Sequence, residues 1–400
     1  MEIKLKHARI SDNPSKDDIS LEIERLSVLK TDYQNKDAAT KVLINSLYGV
    51  AGYRNYIGYN KDVAASITGQ SRDIIRYTIR IINKFFNEIY PEHTALHEHL
   101  GIKPKAFRPY RVVNYADTDS VFFVLDTIYR LSGYKGDIVD FVLKINDFAL
   151  KAYIIEKLGE YVEGFSAFQK RMDGKASFNL ALENICFSVM WVKKKKYVKH
   201  LAWKKGASFK PYEKYEIKGL ESNQSSTPKF VRQSLDKIIK LIVKDAEDGK
   251  NVEETLHREL IGVRAAFDEA DVRDICKTER ITKYDADNVR NDSTGLSFEK
   301  GVKAHIKGAA YYNKLIYNNP QYQSQYDLIR AGQKVSHYAA LEADLEVFSF
   351  PVGDFPVFAP KVDYERQFEK VMLSPINNIV KALGIEMKDP NNANIMPSLW

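Results

Sequence analysis

Two short apolar runs, Val112-Val113 and Val121-Phe122-Phe123-Val124, flank the segment Tyr115-Ala116-Asp117-Thr118-Asp119-Ser120. β-Branched and aromatic runs on either side of a polar cluster predict a β-hairpin, with Asp117-Thr118-Asp119 as its turn. The flanking segments follow a helical period instead. Ile67, Ile74, Ile75, Ile79, Ile82, Phe85, Phe86 and Ile89 mark a long apolar stripe over 61–90, and 136–170 also reads as helix. Sheet and helix are thus both required, and the expected fold class is α+β.

Upstream, 17–34 predicts a helix with Leu21, Leu26 and Leu29 among charges, and a second helix follows at about 36–49. Residues 182–220 mix β-type runs with lysines. The character changes near Ser225-Ser226-Thr227-Pro228, which predicts a helix start with Thr227 as cap and Pro228 in the first turn. That helix runs through Val231, Leu235, Ile238, Ile239 and Ile242 and stops near Gly249, so a subdomain boundary is expected at about 225. A loop over 353–360 precedes a last helix at 363–384, and Lys388 to Trp400 reads as a tail.

Composition narrows the class. Hydrophobic residues make up 44% and charged residues 28%, the balance of a soluble globular protein. Cys186 and Cys276 are the only cysteines, which excludes a disulfide framework and fits a reducing compartment. No stretch approaches the ~18 apolar residues of a membrane helix, and Met1 to Lys6 does not open a signal peptide. A cytoplasmic protein is expected. The segment from Lys193 to Lys218 holds ten lysines against Glu213 and Glu216, more positive charge than the whole chain's net +7. Such concentration fits either a polyanion site or a solvated lysine-rich loop.

Two constellations carry chemistry. Asp117 and Asp119 sit two residues apart at the hairpin tip, where unpaired like charges repel and a divalent cation relieves them. Mg²⁺ prefers oxygen ligands, commonly one or two carboxylates plus substrate phosphates. A pair of such ions stabilises both the attacking and the leaving oxygen of a phosphoryl displacement. A plain Asp-rich turn is the alternative. In the helix before it, Lys41, Asn45 and Tyr48 fall at i, i+4 and i+7 and share one face. A cation, an amide and an aromatic plane suit a nucleoside triphosphate. Val42, Leu43 and Leu47 point elsewhere and are expected to pack; an ordinary amphipathic helix is the alternative.

Taken together these segments resemble the family B DNA polymerases of the T-even bacteriophage type. Lys41-Val-Leu-Ile-Asn45-Ser-Leu-Tyr48-Gly49 is similar to motif B, K-x-x-x-N-S-x-Y-G, and Tyr115-Ala-Asp117-Thr-Asp119-Ser120 to motif C, Y-x-D-T-D-S. Lys194-Lys195-Lys196-Tyr197 resembles the K-K-R-Y element with Lys for Arg. Lys218-Gly219-Leu220-Glu221 and Ser225 to Lys229 resemble the palm-to-thumb junction, and His305-Ile306-Lys307-Gly308 with Tyr312-Asn313 the thumb. The resemblance runs weakly from about 17 and well from 36 to about 385.

The resemblance implies a partial fingers element at 1–60, a palm at 61–225, a mainly helical thumb at 226–385 and a tail at 386–400. It implies Asp119 as main ligand of two Mg²⁺ ions with Asp117 in support, and Lys41, Asn45 and Tyr48 around the incoming dNTP. Lys194, Lys195, Lys196 and Tyr197 would hold primer–template DNA, and Leu399 and Trp400 would end a tail that binds the sliding clamp. Glu183 is a weaker match to a palm carboxylate. The family's motif A, D-x-x-S-L-Y-P, has no match before Lys41; Ser46-Leu47-Tyr48 is already part of motif B. The first fingers helix and the 3′–5′ exonuclease also lack counterparts, and Asp344-Leu-Glu346 has too little chain after it to begin an exonuclease site. The expectation is one subunit of a split polymerase whose partner brings motif A and the exonuclease. A non-catalytic DNA-binding remnant and a cloned fragment of a longer polymerase are the rivals. His93, His97 and His99 fit either a solvated loop or a zinc site.

Overall fold

The first 36-residue helix, α1 (Lys16–Ala51), opens on a reciprocal cap. Ser15 Oγ accepts from the Asp18 N–H at 3.1 Å, and the Asp18 carboxylate accepts from the Ser15 N–H at 3.0 Å. Two helices were expected here, and one continuous helix is found. No glycine or proline interrupts 32–36, and the Lys36–Asp32 pair at 2.7 Å spans the expected gap as an i,i+4 bridge. The structure is a computed structural model that describes residues 14–164, 180–282, 289–292, 295–298, 300–341 and 346–387.

After a turn, Asn60 caps α2 (Lys61–Lys84) by accepting from the Asp62 and Val63 N–H groups, each at 3.0 Å. The helix continues through a π-turn at Phe85–Ile89, where Phe85 and Phe86 are fully buried. Then come α3 (Thr94–Leu100), β1 (Val113–Asp117), β2 (Ser120–Phe123), α4 (Asp126–Ser132), α5 (Ile138–Ile145) and α6 (Lys151–Glu163). The α2 end, α3, α5 and α6 surround a core of Ile82, Phe85, Phe86, Leu96, Phe141 and Leu158. Tyr77 of α2 stacks on Tyr161 of α6 with ring centroids 3.9 Å apart. By contrast, α1 keeps Leu21, Ile23, Val28, Val42, Leu43 and Ile44 in the open. The expected packing of Val42 and Leu43 is therefore not found among the described residues, where both side chains stand exposed.

From residue 181 the chain forms a second unit, the division falling at 180/181 and thus inside the segment expected as palm. Strands β3 (Asn184–Lys193), β4 (Lys196–Lys204), β5 (Ala207–Ser208) and β6 (Tyr215–Lys218) make an antiparallel sheet with β4 paired to all three others. Helices α7 (Lys229–Glu247), α8 (Val252–Asp268) and α9 (Val272–Ile275) follow. Helix α7 begins one residue later than expected: Pro228 is itself the cap and Thr227 is buried. Strand β7 (Lys277–Arg280) precedes a separate hairpin of β8 (Val289–Asp292) and β9 (Gly295–Phe298). The chain then passes through α10 (Ala304–Tyr317), α11 (Pro320–Gln323), β10 (Lys334–Ala339), β11 (Val347–Pro351), α12 (Tyr364–Phe368) and α13 (Ser374–Leu383). A second sheet has the order β11-β10-β7, all antiparallel. Val198 and Ile217 of the first sheet, and Leu220 just after it, share one apolar core with Leu235, Ile238 and Ile242 of α7, so sheet and helices form one body. The fold is α+β, as expected.

Candidate active site

The hairpin is built as its side chains require. Strands β1 and β2 pair Val113 with Phe123 and close at Asp117 opposite Ser120, so Thr118-Asp119 alone forms the turn. The turn is one residue shorter than expected because Thr118 adopts φ +56°, a left-handed conformation that reverses the chain at once. The Asp119 N–H donates to the Asp117 carbonyl at 2.7 Å and the Ser120 hydroxyl to the same oxygen at 3.1 Å. Thr118 Oγ1 donates to Asp117 Oδ1 at 3.2 Å. Asp117 is half-buried at the strand end and Asp119 exposed in the turn. Both carboxylates therefore occupy one end of the hairpin and supply only oxygen donors, the set that a hard dication takes.

What holds the hairpin in place was missed by sequence reasoning. Asn83, in the last turn of α2, accepts from the Val112 N–H at 2.8 Å and the Val113 N–H at 3.3 Å, while its amide donates to the Ile79 carbonyl at 2.7 Å. Four residues on, Asn87 accepts from the Tyr110 N–H at 3.1 Å and donates to the Tyr110 carbonyl at 2.8 Å. The two asparagines at i and i+4 clamp the strand that leads into Asp117.

On α1, Lys41 is exposed, with its ammonium 3.2 Å from Asp37, and Asn45 is exposed as well. The backbone of Tyr48 is helical; its side chain lies outside the described residues. Lys41 and Asn45 thus share an open helix face, flanked by the apolar side chains that stand free around it.

The lysine element is the tip of a second hairpin, in the other unit. Lys193 pairs with Lys196, leaving Lys194-Lys195 as a two-residue turn with Lys195 at φ +64°. Trp191 and Tyr197 face each other across the strands at 5.2 Å between ring centroids. Gly219 lies against this turn. A Cβ there would stand 2.2 Å from the Lys195 carbonyl oxygen, and Gly219 itself has φ +69°, so only glycine fits. The lysines divide into two groups. Lys193, Lys194 and Lys195 are exposed. Lys196 is held 2.6 Å from Glu221, and Glu216 gathers Lys199 at 3.1 Å, Lys218 at 3.2 Å and Lys204. Burial works against the Glu216 charge, but Lys204 and Lys199 outweigh it and hold the carboxyl down at about 2. The concentration of charge is therefore partly internal.

Other expected residues have separate places. Glu183 is exposed just before β3. His93, His97 and His99 form neither a solvated loop nor a metal cluster, which corrects both readings. His93 Nδ1 caps α3 by accepting from the Leu96 N–H at 3.3 Å, His97 packs edge-on against the buried Tyr90 ring, and His99 stacks on Phe148 at 4.4 Å. Burial pushes the His97 imidazole below its ordinary pKa. Glu346 is paired with Arg366, while Asp344 and the tail residues Leu399 and Trp400 lie outside the described residues. Among the described residues no helix is long and apolar enough to cross a membrane.

The hairpin presents two carboxylates at its tip, and α1 presents a lysine and an amide on one face. The profile of DNA polymerase family B matches residues 18–132, which span both elements. The chain is 25% identical over 371 residues to the DNA-directed DNA polymerase of Escherichia phage RB69, covering 86% of this chain and 37% of that protein. It is 26% identical over 290 residues to the DNA-directed DNA polymerase of Enterobacteria phage T4, covering 69% and 28%. A 91-residue stretch is 36% identical to a DNA polymerase of Phaeocystis pouchetii virus, 23% of this chain and 8% of that protein. The similarity to DNA polymerase family B thus takes in both elements. Within it the similarity is to the T4 type, and the chain spans little more than a third of the phage relative it matches over the greatest length.

Proposed function

We propose that this chain is the part of a template-directed DNA polymerase that carries motifs B and C, and that it extends a primer with dNTPs only when joined by a second chain carrying motif A. Residues 1–60 would contribute to the fingers, 61–225 to the palm, 226–385 to the thumb, and 386–400 a clamp-binding tail. The observation that carries the reading is the clamped hairpin: Asn83 and Asn87 fix the strand whose end presents Asp117 and Asp119. Two Mg²⁺ ions would supply Lewis-acid stabilisation of the attacking and leaving oxygens. The all-oxygen set at the tip fits that metal, with Asp119 as main ligand and Asp117 in support. Lys41 would neutralise the triphosphate and favour loss of pyrophosphate, Asn45 would orient it, and Tyr48 would lie against the nascent pair. Lys194, Lys195, Lys196 and Tyr197 would bind the primer–template backbone, which positions a duplex without reading its sequence.

Two features support the need for a motif A partner. Strands β1 and β2 form a two-stranded sheet with half-buried faces, and such a pair gains stability from further strands or a covering helix. Several apolar side chains of α1, Leu21, Ile23, Val28, Val42, Leu43 and Ile44, are exposed, as surface that a partner covers would be. The reaction would take place in the cytoplasm of the bacterial host of a phage. The test is primer extension by the purified chain, alone and with a second chain bearing D-x-x-S-L-Y-P. Extension only by the pair is expected. Robust extension by the single chain would refute the need for a partner, and none by the pair would refute the catalytic reading.

A further inference from the structure

In the second unit, far along the chain from the hairpin carboxylates, Glu279, His305 and His337 bring ligand atoms within 4.8 Å of one another. They come from three elements. Register pairs Val335 with Glu279 and Lys277 with His337, so Glu279 of β7 and His337 of β10 are diagonal neighbours on one sheet face. His305 stands in the first turn of α10, which lies against β11 where Gly308 meets Ser349. A Cβ on Gly308 would fall 2.5 Å from Ser349 Oγ, so the helix approaches closely only because that side chain is missing. Ser349 Oγ in turn donates to the His305 carbonyl at 2.9 Å and fixes the helix start.

The donor atoms have the spacing of a coordination shell. Glu279 Oε2 is 3.0 Å from His305 Nδ1, and Glu279 Oε1 is 3.6 Å from His337 Nε2. A tetrahedral zinc ion with bonds of about 2.0–2.1 Å has edges of roughly 3.3–3.4 Å. The imidazole of His305 is 3% exposed and that of His337 13%. His337 Nε2 is buried and has no hydrogen-bond partner among the described residues, although it faces the Glu279 carboxylate. At 3.6 Å the ring nitrogen and the carboxylate oxygen are too far apart for a good hydrogen bond, and a cation between them would satisfy both. Glu279 and His337 also border a cleft of about 490 Å³ that reaches Gln367 and Ser374, so the cluster is open to an ion from solvent.

We propose that Glu279, His305 and His337 form a transition-metal site, for zinc in the first instance, that ties α10 to the β7–β10 pair. Two imidazoles and one carboxylate suit zinc and its neighbours, whereas Mg²⁺ takes oxygen ligands, so this site is chemically distinct from the hairpin carboxylates. Its role is structural: the ion crosslinks three elements separated widely in sequence and stabilises the unit that carries the lysine hairpin.

The test uses the full chain, stripped with a chelator and titrated with Zn²⁺ by calorimetry, and with Co²⁺ by visible absorption. One equivalent of Zn²⁺ should bind and raise the thermal midpoint of the 181–400 unit, and Co²⁺ should give the intense band of a four-coordinate site. Glu279→Gln and His337→Ala should each weaken Zn²⁺ by more than about 100-fold, since even partners outside the ligand shell are worth 10–100-fold, and should abolish the Co²⁺ band. Far-UV circular dichroism of the metal-free variants should match the metal-free wild type, which separates lost binding from lost folding. His99→Ala, in the other histidine group, should bind as wild type does. Absence of a saturable equivalent, binding unchanged in Glu279→Gln, or equal competition by Mg²⁺ would overturn the proposal.

Discussion

Replacing Asn83 with alanine tests the hairpin clamp most directly. The change removes the acceptor that the Val112 N–H reaches at 2.8 Å and the Val113 N–H at 3.3 Å, and the donor to Ile79 at 2.7 Å. Val112 and Val113 are 0% and 1% exposed, so their amides depend on that oxygen in the folded strand. A buried donor left unsatisfied costs about 1–3 kcal/mol, and the longer Val113 bond adds less than the Val112 bond, giving roughly 2–3 kcal/mol in all. That loss is local and belongs to opening of the strand, so hydrogen exchange is the suitable assay. The Val112 and Val113 amides should exchange roughly 30- to 150-fold faster, as 1.4 kcal/mol is tenfold. Amides of β10 in the other unit should not change. Extension by the reconstituted enzyme should fall by about 100-fold, because a displacement near 1 Å of a positioned group has that effect. Asn83→Asp keeps the acceptor and loses the donor to Ile79, so it should fall between wild type and Asn83→Ala. Exchange within threefold of wild type in Asn83→Ala would refute the reasoning and assign the hairpin's position to apolar packing alone.

The hairpin itself was legible because local rules agree there: β-branched and aromatic runs, a polar turn and a two-residue period. Its clamp was not. Asn83 and Asn87 sit among isoleucines and phenylalanines of a helical stripe, and nothing local says that their amides face a strand 23 to 30 residues away. The helix break expected near 35 failed because Asp32 and Lys36 form a bridge where only polarity was visible. Charge counting overstated the lysine segment for a similar reason. Glu221 lies outside the counted window yet holds Lys196, and Glu216 inside it neutralises more than its share. The histidines show the same limit from the other side. His93, His97 and His99 are close in sequence, but His93 caps a helix while His97 packs on Tyr90 and His99 on Phe148. His305 and His337 are 32 residues apart and meet at Glu279 only through strand register and helix docking. Local pattern reports which residues can form an element; long-range proximity depends on how elements pair.

If Asp119 holds metal as proposed, Asp119→Ala should abolish extension by the reconstituted enzyme while leaving primer–template affinity within about threefold, since no phosphate contact is removed; extension within tenfold of wild type on the same preparation would refute that assignment. Lys194→Ala should lower the slope of log affinity against log salt by about 0.9 for its lost phosphate contact, and Lys196→Ala by less, as Glu221 already holds that ammonium at 2.6 Å; equal changes in salt-titrated binding would show that the ion pair opens on DNA. For Glu216 the folded carboxyl is held at about 2 against an ordinary 4.5. Its stabilisation is present above the unfolded value and is lost as pH falls from 4.5 towards 2. Glu216→Gln should flatten that part of the acid dependence of the second unit's thermal midpoint, and an unchanged profile would deny the coupling. Gly219→Ala changes no charge, yet it should weaken both folding and DNA binding. The left-handed φ of +69° costs a Cβ-bearing residue about 1–2 kcal/mol, and the Cβ itself would press to 2.2 Å from the Lys195 carbonyl. The Lys194-Lys195 turn must then move away from Gly219, carrying its ammonium groups off the path of the backbone. A loss of roughly 2 kcal/mol or more in the second unit's urea stability is expected, since steric strain at a special φ is among the larger single-residue effects. Reduced affinity with an unchanged salt slope should accompany it, because the charges remain and only their placement changes. Wild-type stability and affinity in Gly219→Ala would mean that the turn tolerates displacement and that its geometry does not set the lysines.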